Sequence, residues 1–328
     1  MERTRKRQAT RQEATGVVPV QTQTILQRTT YTVGICALTE VENTLRLIGQ
    51  ILTTYEEGLL LKELIVATPN QTLANRLQDH DGRVTVILEE TREGKTPALR
   101  KILQKATGDI LILSSADIRL GKHTIARLAR SLADNVNLGA VDSKVELVNG
   151  DVRLSDRVST LVWEIHNAML EKLDTDGQLG HVAGDLMGFR RSLIDEIPDV
   201  INDDAYLAFE VRRKGFTVKR DENALVWIAA PGNPADYVSQ RSRVLLGHLQ
   251  LVRAFGAVPT TFEFTLFSRP VRNLRVLNTV IARFGPSYLP TLFTATFLEI
   301  LSFATALVGL VCRRKYGPWR IIWSTKRG

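Results

Sequence analysis

The chain has 328 residues, 44% of them apolar and 24% charged, which is enough for one large domain with appendages and excludes a chain too polar to fold. Its formal net charge of +8 favours anionic partners, whether phosphates, membrane surfaces or nucleic acid, without choosing among them. Its two cysteines, Cys36 and Cys312, lie far apart, make no disulfide framework or metal-ligand cluster, and fit a reducing cytosol.

Residues 1–29 are basic and rich in Gln and Thr, without the continuous apolar stretch of a signal peptide, and read as a disordered basic arm. From Tyr31 the pattern changes. Short β-rich runs (YTVGICA, ELIVAT, VTVIL, DILILSS) alternate with helical periodicity (EVENTLRLIGQIL, NQTLANRLQ, TPALRKILQKA, GKHTIARLARSLA). Four such units in succession predict an α/β domain with a mostly parallel sheet and helices on both faces. Thr96 and Pro97 suit the N-cap and first position of the third helix. Beyond residue 150 the order is less regular: a helix over SDRVSTLVWEIHNAMLEKL, a loop and strand over GHVAGDLMGFRR, and an acidic helix, DDAYLAFEVRRKG, that Gly215 ends.

Residues 288–312 form one long apolar tract, about the length of a bilayer crossing, whose only charge is Glu299. Arg269, Arg272, Arg275 and Arg283 precede it and Arg313, Arg314 and Lys315 follow, so the distribution of positive charge does not assign its ends to opposite compartments. One span and an interfacial or re-entrant helix pair both satisfy this pattern. Tyr316, Trp319 and Trp323 suit a headgroup boundary. The chain therefore divides into the arm, an α/β domain over 30–255 and a membrane-associated helical region over 256–328. No basic and aromatic module supports nucleic-acid binding, which this reading excludes.

Six segments carry candidate chemistry. VGICALTEVEN follows the first strand; TREGKTPAL feeds a helix N-terminus, where free N–H groups can meet an anion; GDILILSSADIRL releases Asp117 at a strand's carboxyl end, where open parallel sheets bind ligands. Then come VAGDLMGFRR, INDDAYLAFEVRRKGF and SQRSRVLLGHL. In this order, over about two thirds of the chain from Tyr31 to Leu251, they resemble the inverting nucleotide-sugar glycosyltransferases of family 2, which have the doubly wound GT-A fold.

The resemblance implies a donor site made of Ala37, Glu40, Asn70, Arg92, Lys95, Ser115, Ala116, Asp117, Gln240 and Arg241, with Asn43 also kept from the first motif. Asp117 stands in the second position of the family's Asp-x-Asp motif and is the implied ligand of Mg²⁺ or Mn²⁺, a hard cation that bridges carboxylate and diphosphate. Gly184 and Asp185 are implied at the acceptor. Asp204 is implied as the general base, with Asp203 positioning it, since a carboxylate beside a second acid has a raised pKa suited to taking a hydroxyl proton. Arg243, with Arg241, is implied as the clamp on the departing diphosphate.

The chain departs from the family pattern at Leu38 and Thr39, at Ser115 in the first acidic position, at Thr68, Pro69 and Asn70 where an acidic loop is usual, and at Val244 in place of a Trp. The expectation is a metal-dependent transferase at the cytoplasmic face of the cell membrane, using a nucleotide-sugar donor and a lipid-linked or membrane-proximal glycan acceptor. The alternative, from another class, is a catalytically silent glycosyltransferase-like subunit, which predicts no metal-dependent nucleotide binding.

Overall fold

The computed structural model describes residues 28–150, 153–312 and 321–326. Nearly all of the basic arm lies outside the described residues, as do Arg313, Arg314, Lys315, Tyr316 and Trp319. Thr29, placed at the arm's end by composition, already belongs to the sheet, paired with Leu59.

The first half is a run of strand and helix units: β1 (Thr29–Cys36), α1 (Val41–Leu52), β2 (Leu59–Thr68), α2 (Gln71–Leu77), β3 (Val84–Leu88), α3 (Lys95–Lys105), β4 (Ile110–Ser115), the two-residue β5 (Arg119–Leu120) and α4 (Thr124–Asp134). There follow β6 (Leu138–Leu147), α5 (Leu154–Thr175), β7 (Leu186–Arg190), α6 (Asp203–Arg213), β8 (Thr217–Ile228) and α7 (Pro234–Phe255). A short α8 (Phe262–Thr265), α9 (Pro270–Phe284) and α10 (Leu289–Val311) complete the α-helices among the described residues.

The strands form one sheet in the order β3-β2-β1-β4-β7-β6-β8-β5. β7 runs antiparallel to both β4 and β6, and β5 antiparallel to β8, while the other pairs are parallel. The apolar runs explain why this sheet is covered on both sides. In β2, Ile65 and Ala67 pack with α3, α5 and α6, whereas Leu64 and Val66 pack with α1, α2 and α4; Leu111 and Leu113 against Ile110 and Ile112 divide β4 in the same way. Side chains alternate along a strand, so an unbroken apolar run is the pattern of a strand buried on both faces. Gly215 follows the last turn of α6 with φ +86°, as the sequence indicates.

One helix start differs from expectation. α3 begins at Lys95 with Gly94 as its N-cap, and the Thr96 hydroxyl donates instead to the carbonyl of Val200 (2.9 Å), tying α3 to the loop ahead of α6. A tertiary partner outcompeted the local cap.

The apolar tract is one unbroken helix, α10, packed on α5 and α7. Val158, Leu161, Tyr237, Val280, Tyr288, Ala295 and Leu298 form a core shared by α5, α7, α9 and α10, so the C-terminal helices lie directly against α5 and α7. The helix over residues 286–311 contains an 18-residue window of mean hydropathy 1.8 and is long and apolar enough to cross a membrane, with Phe293, Phe297, Ile300 and Val308 exposed. Glu299 faces inward to Tyr237 and Arg241.

Candidate active site

The parallel strands end together. Cys36 of β1 pairs with Ala67 of β2 and with Ser115 of β4, and Thr68 of β2 pairs with Leu88 of β3, so the loops after these strands open on one edge. β7 enters that edge from the opposite direction: its first residue, Leu186, pairs with Ser114. The 181–185 loop and the loops carrying Glu40, Lys95 and Asp117 therefore line the same cleft, of about 940 Å³. It lies beside β1, where the strand order reverses, the usual ligand position in such sheets.

Of the residues singled out from sequence, Ala37, Glu40, Arg92, Lys95, Ser115, Ala116, Asp117, Gly184, Asp185, Asp203, Asp204, Gln240, Arg241 and Arg243 all line this cleft. Asn70 and Asn43 are not in its lining. Asn70 Oδ1 accepts from Leu73 N–H as the N-cap of α2, and its Nδ2 donates to Leu38 O (3.2 Å), so its amide holds the loop after β1 rather than facing a nucleotide.

Asp117 is held in place by its neighbours' backbone. Asn43 donates to the carbonyls of Ala116 and Ile118, fixing the turn on both sides of the acid. Ser115 contributes no carboxylate; its hydroxyl lies 3.4 Å from Gly184 O and its N–H donates to Asp185 O (2.9 Å), which ties the end of β4 to the 181–185 loop.

Asp203 and Asp204 open α6, where the helix dipole favours negative charge. Lys95 Nζ lies 3.0 Å from Asp203 Oδ2 and donates to Gly184 O (3.0 Å). Burial opposes charge on both partners; for Asp203 it raises the carboxyl pKa, while for Lys95 the nearby Asp203 and Asp204 outweigh it and raise the ammonium's. Asp204 Oδ1 accepts from Ala205 N–H (2.7 Å). Its other oxygen faces Gly184, on which a Cβ would stand 2.8 Å away. Gly247 works similarly from α7: a Cβ there would meet Asn202 Oδ1 at 2.3 Å, and its absence lets Asn202 donate to Val244 O (2.9 Å) and bring the two acids beside the helix that carries Arg243.

The two arginines of α7 differ in their surroundings. Arg241 is bonded to Glu299 (2.8 Å) and to Glu263, with Tyr237 also on Glu299. Burial opposes the charge on Arg241, yet the two carboxylates raise its pKa well above the usual arginine value; Arg241 in turn overrides burial to hold Glu263 down to about 2. The pairing expected with a diphosphate is thus made with two glutamates, because α8 and α10 bring carboxylates that local sequence does not show. Arg243 faces Asp203, Asp204, Asp117 and Asp185 across the cleft, and burial lowers its pKa.

Burial and the nearby Asp117 push Asp185 up to about 7. Asp142, on β6, was not legible from motifs: it is fully buried, its Oδ1 accepts from Ala183 N–H (2.7 Å), and burial raises its pKa to about 8. Three of the chain's five histidines also line the cleft. His166, His181 and His248 stack edge to face, with centroids 5.7 Å and then 5.6 Å apart, and burial lowers the pKa of each, to about 3 for His248. That share of a rare residue type was the one signal available. Beyond them the wall is apolar, with Val162, Trp163, Ile165, Phe262, Leu266 and Leu292 from α5, the α8 segment and α10.

Nothing in the sequence flagged Lys326. Its Nζ lies 2.7 Å from Asp117 Oδ2 and 2.6 Å from Glu40 Oε1. Among the described residues no three His, Cys, Asp or Glu side chains come together as a metal cage. The oxygen donors do fit a hard cation shared with substrate phosphates, which needs only one or two carboxylates from the protein: the ammonium already marks a point within bonding reach of both Glu40 and Asp117.

The family described as Glycosyl transferase family 2 matches residues 32–198. The chain is 22% identical over 217 residues to poly-beta-1,6-N-acetyl-D-glucosamine synthase of Staphylococcus aureus (strain COL), covering 63% of this chain and 52% of the synthase, with equal matches in strains MSSA476 and N315. The chain thus spans about half the length of the curated relatives it matches. In structure it is similar to the mannosyltransferase PcManGT from Pyrobaculum calidifontis in complex with GDP-Man and Mn²⁺, with a TM-score of 0.60, 20% identity and 88% of each chain covered. That likeness is one of fold, and the fold is GT-A.

Proposed function

The chain belongs to glycosyl transferase family 2, and from that premise we propose that it transfers a sugar, with inversion, from a nucleotide-sugar donor to a hydroxyl of a lipid-linked or membrane-proximal glycan acceptor, with Asp204 as the general base. The supporting observation is that Asp204, Asp117 and Arg243 line one cleft although they lie far apart in sequence.

The donor diphosphate lies towards Asp117 and Arg243, and the acceptor approaches from the side of Gly184 and Asp204. The acceptor oxygen attacks the anomeric carbon opposite the leaving group, Asp204 takes its proton, and the bond to the diphosphate breaks with the electron pair leaving on phosphate. Arg243 meets that developing charge with a planar, permanently cationic group. Lys95 fixes Asp203 and the carbonyl of Gly184, holding the base and the acceptor loop in one register. Glu40 and Asp117 would hold Mg²⁺ or Mn²⁺, whose chemistry is to neutralise diphosphate charge.

The apolar wall past Asp204 and the exposed apolar faces of α9 and α10 support an acceptor presented at a membrane surface, with the cleft at the cytoplasmic face. The test is a thermal-shift panel of UDP-, GDP- and CMP-sugars, each with and without Mn²⁺ or Mg²⁺, including N-acetylglucosamine and mannose donors because relatives are named for those sugars. A nucleotide sugar that stabilises the folded chain, followed by turnover that Asp204→Asn abolishes, is the expected result. A flat panel favours the silent subunit.

A further inference from the structure

Residues 321–326 lie against the cleft, with Ile321, Ile322, Thr325 and Lys326 in its lining. Trp323–Thr325 make a single 3-10 turn, the Ser324 hydroxyl donates to Asp236 Oδ2 (2.6 Å), and Thr325 is buried. Lys326 then reaches the oxygens of Asp117 and Glu40. We propose that Glu40 and Asp117 form a single cation seat with two alternative occupants, the divalent ion that accompanies the donor diphosphate and the Lys326 ammonium of the chain's own tail, so that the tail must leave before the metal-bound donor can load.

Backbone groups as well as Lys326 shape the seat. Glu40 Oε2 accepts from the N–H groups of Leu38 (3.0 Å) and Thr39 (2.8 Å), which turns Oε1 towards Asp117. With Ser115 standing where β4 would have supplied a second acid, the loop after β1 provides that carboxylate instead. Hard cations bind oxygen at about 2.0 to 2.6 Å, so an ion at this point needs only a small side-chain adjustment from the positions that hold the ammonium.

Charge makes the two occupants exclusive. Without Lys326, Glu40, Asp117, Asp203 and Asp204 confront Lys95 and Arg243, an excess of negative charge that repels a bare diphosphate and attracts a divalent ion. With Lys326 in place, the oxygens a metal would bind are already taken. Apart from the ion pair, the Ser324 bond to Asp236 and the buried Thr325 hold the segment; Ile321 and Ile322 are half-buried at the cleft, Trp323 is 60% exposed, and none of these side chains belongs to the main apolar clusters. The segment can therefore detach with little loss of core packing.

The seat rests on the two Lys326 contacts, to Glu40 and to Asp117; only the diphosphate rests on the glycosyl-transfer reading. The experiment titrates Mn²⁺ into the full chain without nucleotide, following free Mn²⁺ by electron paramagnetic resonance, for the wild type, Lys326→Gln, Lys326→Arg, and Lys326→Gln combined with Glu40→Gln. Lys326→Gln is expected to bind Mn²⁺ at least fivefold more tightly than wild type, Lys326→Arg to stay below that gain, and loss of Glu40 to remove it. A gain under fivefold, or one that survives Glu40→Gln, overturns the proposal. In the wild type, the amides of Thr325 and Lys326, bonded to Ile322 O and Trp323 O, are expected to exchange faster once Mn²⁺ and a nucleoside diphosphate are added; unchanged exchange overturns it too. Sugar transfer is not part of either readout, so an inactive panel of nucleotide sugars would reject the proposed reaction while leaving the seat to be judged by Mn²⁺ alone.

Discussion

Gly184 presents its Cα to the carboxylate of Asp204 so closely that a single added methyl would lie 2.8 Å from Oδ2 and 3.3 Å from the ammonium of Lys95. Gly184→Ala is therefore expected to displace Asp204, the proposed base, while leaving the core intact. Steady-state kinetics should show a fall in kcat of about tenfold or more, since small misplacements of a reacting group are costly, with the unfolding midpoint nearly unchanged.

Asp204→Asn keeps the shape and the helix-start position but cannot accept the proton. The expected loss in kcat is about 10² to 10⁴-fold, the usual contribution of a general base. Donor affinity, measured by calorimetry, should stay within a few fold, because the proposed donor site is formed by Asp117 and Arg243. A variant as active as wild type would remove Asp204 from the mechanism.

Arg241 and Arg243 should separate cleanly. Arg241→Met leaves the partly buried Glu263 and Glu299 without their cation and is expected to cost about 1 to 3 kcal/mol in urea unfolding, the loss of hydrogen bonds to charged groups. Arg243→Gln should leave stability nearly alone and weaken donor binding by about 10 to 100-fold, the loss of a hydrogen bond to a charged group.

Asp142 sets a pH dependence of stability. Its folded pKa of about 8 lies far above the usual carboxylate value of about 3.9, so between those limits the folded state binds more protons than the unfolded one. The stabilisation is complete below about pH 4 and is lost as pH rises through about 8. Asp142→Asn should consequently gain stability relative to wild type between pH 5 and pH 8.5. Denaturant melts at the two pH values read the difference directly; a wild-type and variant gap that does not change with pH would refute the assignment.

The outer face of α10 carries Phe293 and Phe297, 75% and 64% exposed. Replacing both with Ser should reduce co-sedimentation with lipid vesicles severalfold without lowering the unfolding midpoint, since neither ring packs in the core. Retained sedimentation would place the membrane contact elsewhere.

The amino-acid sequence by itself determined the alternation of β1 to β4 with their helices, because Leu64 to Ala67 and Ile110 to Leu113 are apolar without break and the intervening segments repeat at helical spacing. It also placed Asp117 at a strand end and the Asp203 and Asp204 pair at a helix start, features that depend only on near neighbours along the chain. Tertiary structure alone decided which of these groups meet. Arg241 finds Glu299 across 58 residues, Thr96 finds Val200 across 104, and Lys326 reaches Asp117 across 209. Such pairings follow from how α7, α10 and the C-terminal segment pack against the sheet, and no periodicity or motif spacing carries that information. Electrostatics and hydrogen bonding act through space, so a side chain's partners are fixed only when the fold has brought distant segments together.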